Sequence, residues 1–541
     1  MVRLPKIKRG DKLASIKRQR TARLTRVATR AALLQRRGQN DAAYTLVCNE
    51  FMSLGGIYVK FLQGVLLNSP VMKRWHSPNK LKIFEGLASE PLDIVALLHR
   101  ELRPDQLQQI AKLQTESFAA GSFGQVYYGE LTSGQPVIIK ALRPQIRQLL
   151  QHDLRLLGLF SRFFVNRQYK NMDMKLDDAI KDFRRATLAE TDYIQEAHFA
   201  AEMYELNHDN PHLVIPKTYL DLCTPQLIVQ DYVGGISCAD LLQKYAGEKI
   251  DPTEYTRAQL GSDLSTQLKS LGIALLNGCF EQPRIMGDPH PGNIRLLPDN
   301  KIALIDFGIS APAPRNRAAF FGLTREWSKM YIGTMNIPAL FEQYLRVFMN
   351  DLYRALKKLT SMRPHNADAA AQENLLKNVG GVIKELFDGE GPSEEITDAL
   401  DQGKLMRIFN NVVNKGNRLG LVMKLEDSEV LRAAQTYMST VEALGLRAEV
   451  LPAVFKQVVE KQQADHPELT SDSERRLTTS QALEIVNRWL ERVANKDPML
   501  FQRLLKQVAS AGYGTVKAAQ EVTTKVAEKA IELEKPEEQH A

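Results

Sequence analysis

The spacing of hydrophobic and polar positions changes several times along the 541-residue chain, and each change marks a different kind of element. Residues 41–110 repeat apolar positions every three or four, around "YTLVCNEFMSLGGIYVKFLQGVLL" and again in "PLDIVALLHREL", which predicts helices. Alternation then takes over. "GQVYYGEL" and "QPVIIKAL" read as two strands joined at Thr132-Ser133-Gly134, a hairpin signal. Helical spacing returns from Arg143 to about Asn207, after which "HLVIPKTYLDL" and "PQLIVQDYV" are strand-like again. Beyond Gly234-Gly235 the pattern predicts mostly helix, apart from "NIRLLPDNKIALIDFG", which reads as strand, turn and strand.

Composition changes this picture at one end of the chain. The net charge is +8, but residues 1–37 hold thirteen Lys or Arg against a single acid, Asp11, so the other 504 residues carry about −4. Within that segment Leu13, Ile16, Leu24, Val27, Ala31 and Leu34 recur at helical spacing. A basic amphipathic tail of this kind reads equally as a solvated extension and as a helix for an anionic membrane surface, a lipid or an acidic partner. Its Arg-rich, acid-poor start also has the character of an organellar presequence, and nothing in it points to specific nucleic-acid recognition. No apolar stretch reaches the roughly 18 residues of a transmembrane helix, so the expected location is cytoplasmic, peripheral to a membrane. Cys48, Cys223, Cys238 and Cys279 form no C-x-x-C pair, which argues against a disulfide framework or a cysteine zinc site.

Candidate chemistry concentrates in the alternating part of the chain. "SFAAGSFGQVYYGEL", residues 117–131, resembles the phosphate loop G-x-G-x-x-G-x-V, with Gly121, Gly124 and Val126 in place and Ala119 in the position of the first glycine. Phosphoryl transfer from ATP needs a backbone cradle, a lysine on the phosphates, a carboxylate to hold that lysine, and one or two metals. Lys140 ends "PVIIK", sixteen residues after Gly124, where a strand would aim it at the phosphates. "GDPHPGN" sets Asp288 five residues before Asn293, and "IALIDFG" supplies Asp306 thirteen residues later. Asn293 and Asp306 are hard oxygen donors suited to Mg²⁺, and Asp288 is placed to accept a proton from an attacking hydroxyl. Ordinary turn glycines, a surface lysine and helix caps would not account for these elements in this order and strand context. Adenine would be held by backbone groups near Gln230 and Val233, and His290 reads as a brace of its loop rather than a metal ligand.

From roughly Ala42 to Ser310, and more loosely to Pro452, these residues resemble the UbiB/AarF-domain (ADCK) atypical kinases, which have a protein-kinase-like fold. "AAGSFGQVY" is similar to the family's alanine-rich nucleotide loop, usually A-A-A-S, so Ala119, Ala120, Gly121 and Ser122 would face nucleotide together with Gly124 and Val126. "ETDYIQEA" resembles the E-x-D motif and the glutamate that follows it, here Glu190, Asp192 and Glu196. "VKFLQ" resembles the K-x-G-Q motif of the helical extension, with Lys60 and Gln63 in place. The resemblance implies a Glu196–Lys140 pair and a Glu190–Lys60 pair that ties the extension across the site as a gate. It also implies Asp192 close to the metal, ATP or ADP with Mg²⁺ as cofactor, and a link to isoprenoid-quinone or other lipid metabolism. Three departures stand out. Gly121 replaces the usual third alanine and reopens close backbone approach to a phosphate. Leu62 replaces the glycine of K-x-G-Q, which implies a different seat for that helix. Where many relatives carry membrane-spanning C-terminal helices, "FQRLLKQVASAGYGTVKAAQEV" is amphipathic, so attachment would be peripheral, through the basic tail.

The expected fold is α+β, bilobal and protein-kinase-like, with a helical extension before it and a long, mainly helical C-terminal lobe. Its parts would be a basic tail (1–40), the extension (41–112), an N-lobe with the nucleotide loop (113–233), a catalytic C-lobe (234–330), a helical region (331–525) and a disordered tail (526–541). Two other readings stay open: a small-molecule phosphotransferase of the aminoglycoside or choline kinase kind, and a nucleotide-binding pseudokinase scaffold. A protein substrate is not expected, because no long segment closing in Ala-Pro-Glu follows Gly308.

Overall fold

The computed structural model describes residues 9–62, 92–120, 123–143, 146–164, 183–185, 187–329, 343, 346–347 and 425–470. Gln63, Gly121, Ser122, the 526–541 tail and most of the 331–525 region lie outside the described residues, and for Ala120 only the backbone is described. Helices and small sheets are mixed in the α+β, kinase-like manner expected. The chain divides into two compact units. The first takes Met1–Leu271, Met286–Ala311 and Arg432–Leu446, the second Gly272–Ile285, Pro312–Leu431 and Arg447–Ala541.

The first unit begins with three helices, α1 (Arg9–Arg36), α2 (Asn40–Leu54) and α3 (Ile57–Phe61). The basic segment is not a free tail. Leu24, Val27 and Ala31 are buried in one cluster with Phe51, Tyr58 and Phe61 of the extension, and with Leu150, Leu154 and Phe160 of α5 (Ile146–Phe164). Burying Leu24 and Val27 contributes about 1.5–3 kcal/mol each, against about 0–1 kcal/mol for a partly exposed ion pair such as Arg23–Glu50, so the apolar stripe decides where α1 sits. Its Arg18, Arg26, Arg30 and Arg36 remain exposed.

A five-stranded sheet follows. β1 (Ile110–Leu113), β3 (Gly124–Leu131), β4 (Pro136–Leu142) and β6 (Leu227–Asp231) lie side by side in that order, and β2 (Ala119–Ala120) pairs with β3. β3 and β4 form the expected hairpin; at its turn Gly134 has a φ of 83° and donates to the Leu131 carbonyl at 2.8 Å. Alternation along β3 and β4 sends Tyr127, Leu131, Val137, Ile139 and Ala141 to one face, where α4 (Ile94–Glu101) covers them with Ile94, Leu97 and Leu98. The register pairs Val126 with Lys140 and Lys140 with Ile228, so these three share the opposite face.

Two elements differ from the sequence expectation. Ile110–Leu113, at the end of the stretch read as helical (41–110) and of the expected extension (41–112), is the edge strand β1, because its backbone completes the β3 ladder. Leu213–Val214 (β5), expected among the strands of the N-lobe (113–233), instead lies parallel to β9 (Ile302–Leu304) in a second sheet ordered β5-β9-β8-β7, with β7 at Ile236–Ser237 and β8 at Ile294–Leu296. The helical span from Arg143 to Asn207 contains α5 and, separately, α6 (Tyr193–Asn207).

In the second unit the helix Arg317–Lys329 packs on Arg447–Asp465, and the Phe280 ring lies tilted against Phe320 with centroids 5.2 Å apart. Gln462 donates to Asn277 at 3.0 Å and anchors the longer helix. No helix among the described residues is long and apolar enough to cross a membrane.

Candidate active site

β4 carries Lys140 into a protein interior that would not tolerate a lone ammonium. The side chain is only 11% exposed, and its Nζ donates to Glu196 Oε1 at 2.7 Å and to the Ile305 carbonyl at 3.2 Å. Burial works against the charge, but the carboxylates of Glu196 and Asp306 outweigh it and hold the lysine above its ordinary pKa. Burial pushes the Glu196 carboxyl up, with Lys140 opposing. Glu196 stands in the first turn of α6, whose N-cap is Asp192.

Asp306 follows β9. Its Oδ2 lies 3.8 Å from Lys140 Nζ, and its Oδ1 accepts from the Gly308 N–H at 3.0 Å, which fixes the carboxylate. Phe307 is buried beneath it, edge-on to Phe199 of α6 with ring centroids 6.1 Å apart. Between Gly287 and β8 the chain makes a tight turn in which His290 Nδ1 accepts from Gly292 N–H at 3.1 Å, bracing the loop as the sequence suggests. Asn293 Nδ2 donates to the Asp288 carbonyl at 3.2 Å, and the Ile305 N–H donates to the Asn293 carbonyl at 3.0 Å. The two halves of the strand-turn-strand segment are thus pinned together beside Lys140. Burial raises the Asp288 carboxyl; Arg432 and His290 pull it back.

Lys140, Glu196, Asp288, Asn293 and Asp306 all line one cavity of about 310 Å³, together with Gly124, Val126, Lys60 and Glu190. Lys60 forms an ion pair with Glu190, so α3 of the extension reaches the cavity wall. Leu62 does not disturb this. It is buried against Cys48 and Val59 inside the extension, two residues and thus about half a helical turn away from Lys60.

Four predicted residues, Asp192, Gln230, Val233 and Ala119, are placed elsewhere. Asp192, expected close to the metal, does not line the cavity: its carboxylate accepts from the Gln195 N–H at 3.3 Å as the cap of α6 and lies 3.5 Å from Arg147. Gln230 and Val233 also lie outside the cavity lining. Gln230 is fully buried in β6 with its amide on Thr218, and its backbone is flanked by β4 on one side and an isolated bridge to Thr218 on the other. Ala119 is exposed, paired with Val126 at the edge of β3.

Five lining residues were not predicted, Phe123, Gln125, Tyr193, Gly308 and Ile309, and two of them shape the site most. Phe123 is buried, with Lys60 Nζ 4.7 Å from its ring centroid, and Tyr193 packs against Gly124. Both stand inside quoted motifs, "GSFG" and "ETDYIQEA", which was the available signal. Gly124 itself is needed for space rather than for backbone freedom, since its φ is not positive. A Cβ there would meet the Ala141 carbonyl oxygen at 2.6 Å and the Tyr193 hydroxyl at 2.9 Å. Gly124→Ala is therefore expected to destabilise by about 1–3 kcal/mol, read by chemical denaturation, and to widen the β3–β4 ladder at the cavity. A variant as stable as the parent would show that the ladder has slack.

The donor set suits a hard divalent cation shared with a phosphate ligand: one carboxylate from Asp306 and one amide oxygen from Asn293, whose Nδ2 is held on the other side by the Asp288 carbonyl. No cluster of three or more His, Cys, Asp or Glu forms an independent metal site among the described residues.

Residues 88–324 match the family described as the ABC1 atypical kinase-like domain. Over 266 residues the chain is 32% identical to Activity of BC1 complex kinase 1, a chloroplastic protein of Arabidopsis thaliana, covering 49% of this chain and 36% of that one. It is 27% identical over 263 residues to the probable protein kinase UbiB of Azotobacter vinelandii, covering 46% of each. A solved structure of the Rv3197–erythromycin complex from Mycobacterium tuberculosis aligns with a TM-score of 0.40 at 17% identity, over 68% of this chain and 84% of that one. The chain spans less than half the length of the two curated relatives named.

Proposed function

We propose, for a chain that carries an ABC1 atypical kinase-like domain, that its cavity binds Mg·ATP and directs a phosphoryl group to a small, lipid-linked acceptor or to water. The observation that carries this reading is the meeting of Lys140, Asp288, Asn293 and Asp306 on one cavity from separate stretches of chain. When bound, Mg·ATP supplies the transferable group and a divalent charge that offsets what develops on it. Lys140, oriented by Glu196, is the residue to hold phosphate oxygens, and Asn293 and Asp306 would hold the metal. Asp288 takes the proton of the attacking hydroxyl at its carboxylate. A lipid-linked acceptor is supported by the family resemblance and by the exposed arginines of α1, which suit an anionic surface. A peptide acceptor is disfavoured because the chain enters the helix Arg317–Lys329 shortly after Gly308, leaving little length for a peptide platform.

The test is turnover of Mg·ATP by the purified full chain, with and without anionic vesicles, abolished by EDTA. Asp288 must be ionised to act as base, so activity is lost as pH falls through its raised pKa. The acid limb of kcat/KM should therefore lie above the ordinary carboxylate range. Mg·ADP binding without turnover under any condition would leave a nucleotide-binding scaffold instead. Failure to bind either nucleotide would end the proposal.

A further inference from the structure

A buried polar cluster outside the cavity links α1 to the lysine of the extension. Asp153 of α5 is 1% exposed and lies among Leu150, Leu154, Leu157 and Phe160, surroundings in which a carboxylate needs full pairing. Two groups supply it. Arg20 of α1 forms an ion pair with Asp153, and Tyr58 of α3, itself fully buried, donates its hydroxyl to Asp153 Oδ1 at 2.9 Å. The Arg20 guanidinium also sits 5.8 Å from the centroid of the Tyr58 ring. Tyr58 precedes Lys60 by two residues on a helix of only five, Ile57–Phe61. So short a helix has little rigidity of its own, and its orientation depends on what its side chains grip. One side grips Asp153. The other presents Lys60 to Glu190 and to the Phe123 ring of the nucleotide loop.

We propose that Arg20, Asp153 and Tyr58 are positioning residues: a polar strut through which α1 sets α3 so that Lys60 is held at the cavity wall, between Glu190 and Phe123. The strut makes α1 part of the site without touching any ligand. If it is broken, α3 shifts, Lys60 withdraws from the cavity, and Glu190 is left as an unpaired negative charge beside the place where phosphates would bind. The last consequence rests on the nucleotide reading above; the placement of Lys60 does not.

The strut is tested by acylation of the ligand-free full chain with an amine-reactive ester, Lys60 being followed by mass spectrometry and the exposed Lys112 serving as internal reference. Arg20→Met is expected to raise Lys60 labelling several-fold relative to Lys112, and Tyr58→Phe to raise it less. Arg20→Met could also unfold the chain by stranding the Asp153 charge, so the deciding variant is Arg20→Met with Asp153→Leu. Replacing both members of a buried pair with apolar side chains is often neutral for stability. If that folded double variant labels Lys60 at the parental rate, apolar packing alone positions α3 and the proposal falls. A second arm measures Mg·ADP affinity. The double variant should bind about fivefold more weakly than the parent, and the loss should vanish in a Lys60→Met background. An equal loss in that background would also overturn the strut. Should Mg·ADP fail to bind even the parent, the nucleotide reading fails while the labelling arm still decides the strut.

Discussion

Lys140→Met is expected to abolish Mg·ATP turnover and to destabilise the chain by about 3–5 kcal/mol, because it strands the Glu196 carboxylate without its counter-charge. The two side chains are 11% and 5% exposed and meet at 2.7 Å, so neither has water to replace the other. The loss should depend on pH in a definite sense. In the variant, burial raises the Glu196 pKa in the folded state with nothing opposing it but distant charges, while the unfolded chain keeps the ordinary value. The folded state therefore binds more protons over the interval between the two, and stability falls as pH rises through it. Urea denaturation at pH 5 and pH 8 checks this, with the larger deficit expected at pH 8. Adding Glu196→Leu should recover most of the stability and none of the turnover, which separates the structural part of the pair from the chemical one. Parental stability in Lys140→Met would mean that Glu196 is hydrated and that the pair does not organise the site.

Asp306→Asn should behave in the opposite way, with turnover falling roughly a thousandfold while the fold is nearly untouched. Metal-borne charge stabilisation is worth several kcal/mol, and each 1.4 kcal/mol is about tenfold in rate. Asp306 is half exposed, and its 3.8 Å approach to Lys140 is longer than the contact Lys140 keeps with Glu196, so little structural support is lost. Asparagine preserves an oxygen that can accept from Gly308, but it removes the single negative charge of the donor set formed with Asn293. Steady-state rates over a magnesium titration provide the check. A variant within tenfold of the parent at every magnesium concentration would remove Asp306 from the metal role.

Much of this site could be read before any coordinates, and the reasons are local. "GQVYYGEL" and "PVIIK" alternate, so strand, register face and the direction of Lys140 follow together, and Asp288, Asn293 and Asp306 sit in turns whose lengths are written in the chain. What escaped depends on distant partners. "IAKL" has no strand signature of its own and becomes β1 because β3 offers it a ladder. Leu213–Val214 is too short to choose a sheet, and its neighbour β9 lies far along the sequence. The stripe Leu24, Val27, Ala31 announces that something apolar covers it, but a membrane, a partner and α2 with α5 satisfy the pattern equally. A carboxylate at an E-x-D position is also a good helix cap, and Asp192 engages the first turn of α6 beside Arg147.

The seat of Phe307 against Phe199 has a mechanical corollary. Phe199 follows Glu196 by three residues on α6, so the carboxylate that steadies the lysine and the ring that steadies Asp306 ride on one rigid lever. Sliding that lever would disengage both in a single stroke, which makes an all-or-none latch out of what a list of separate residues would present as independent adjustments.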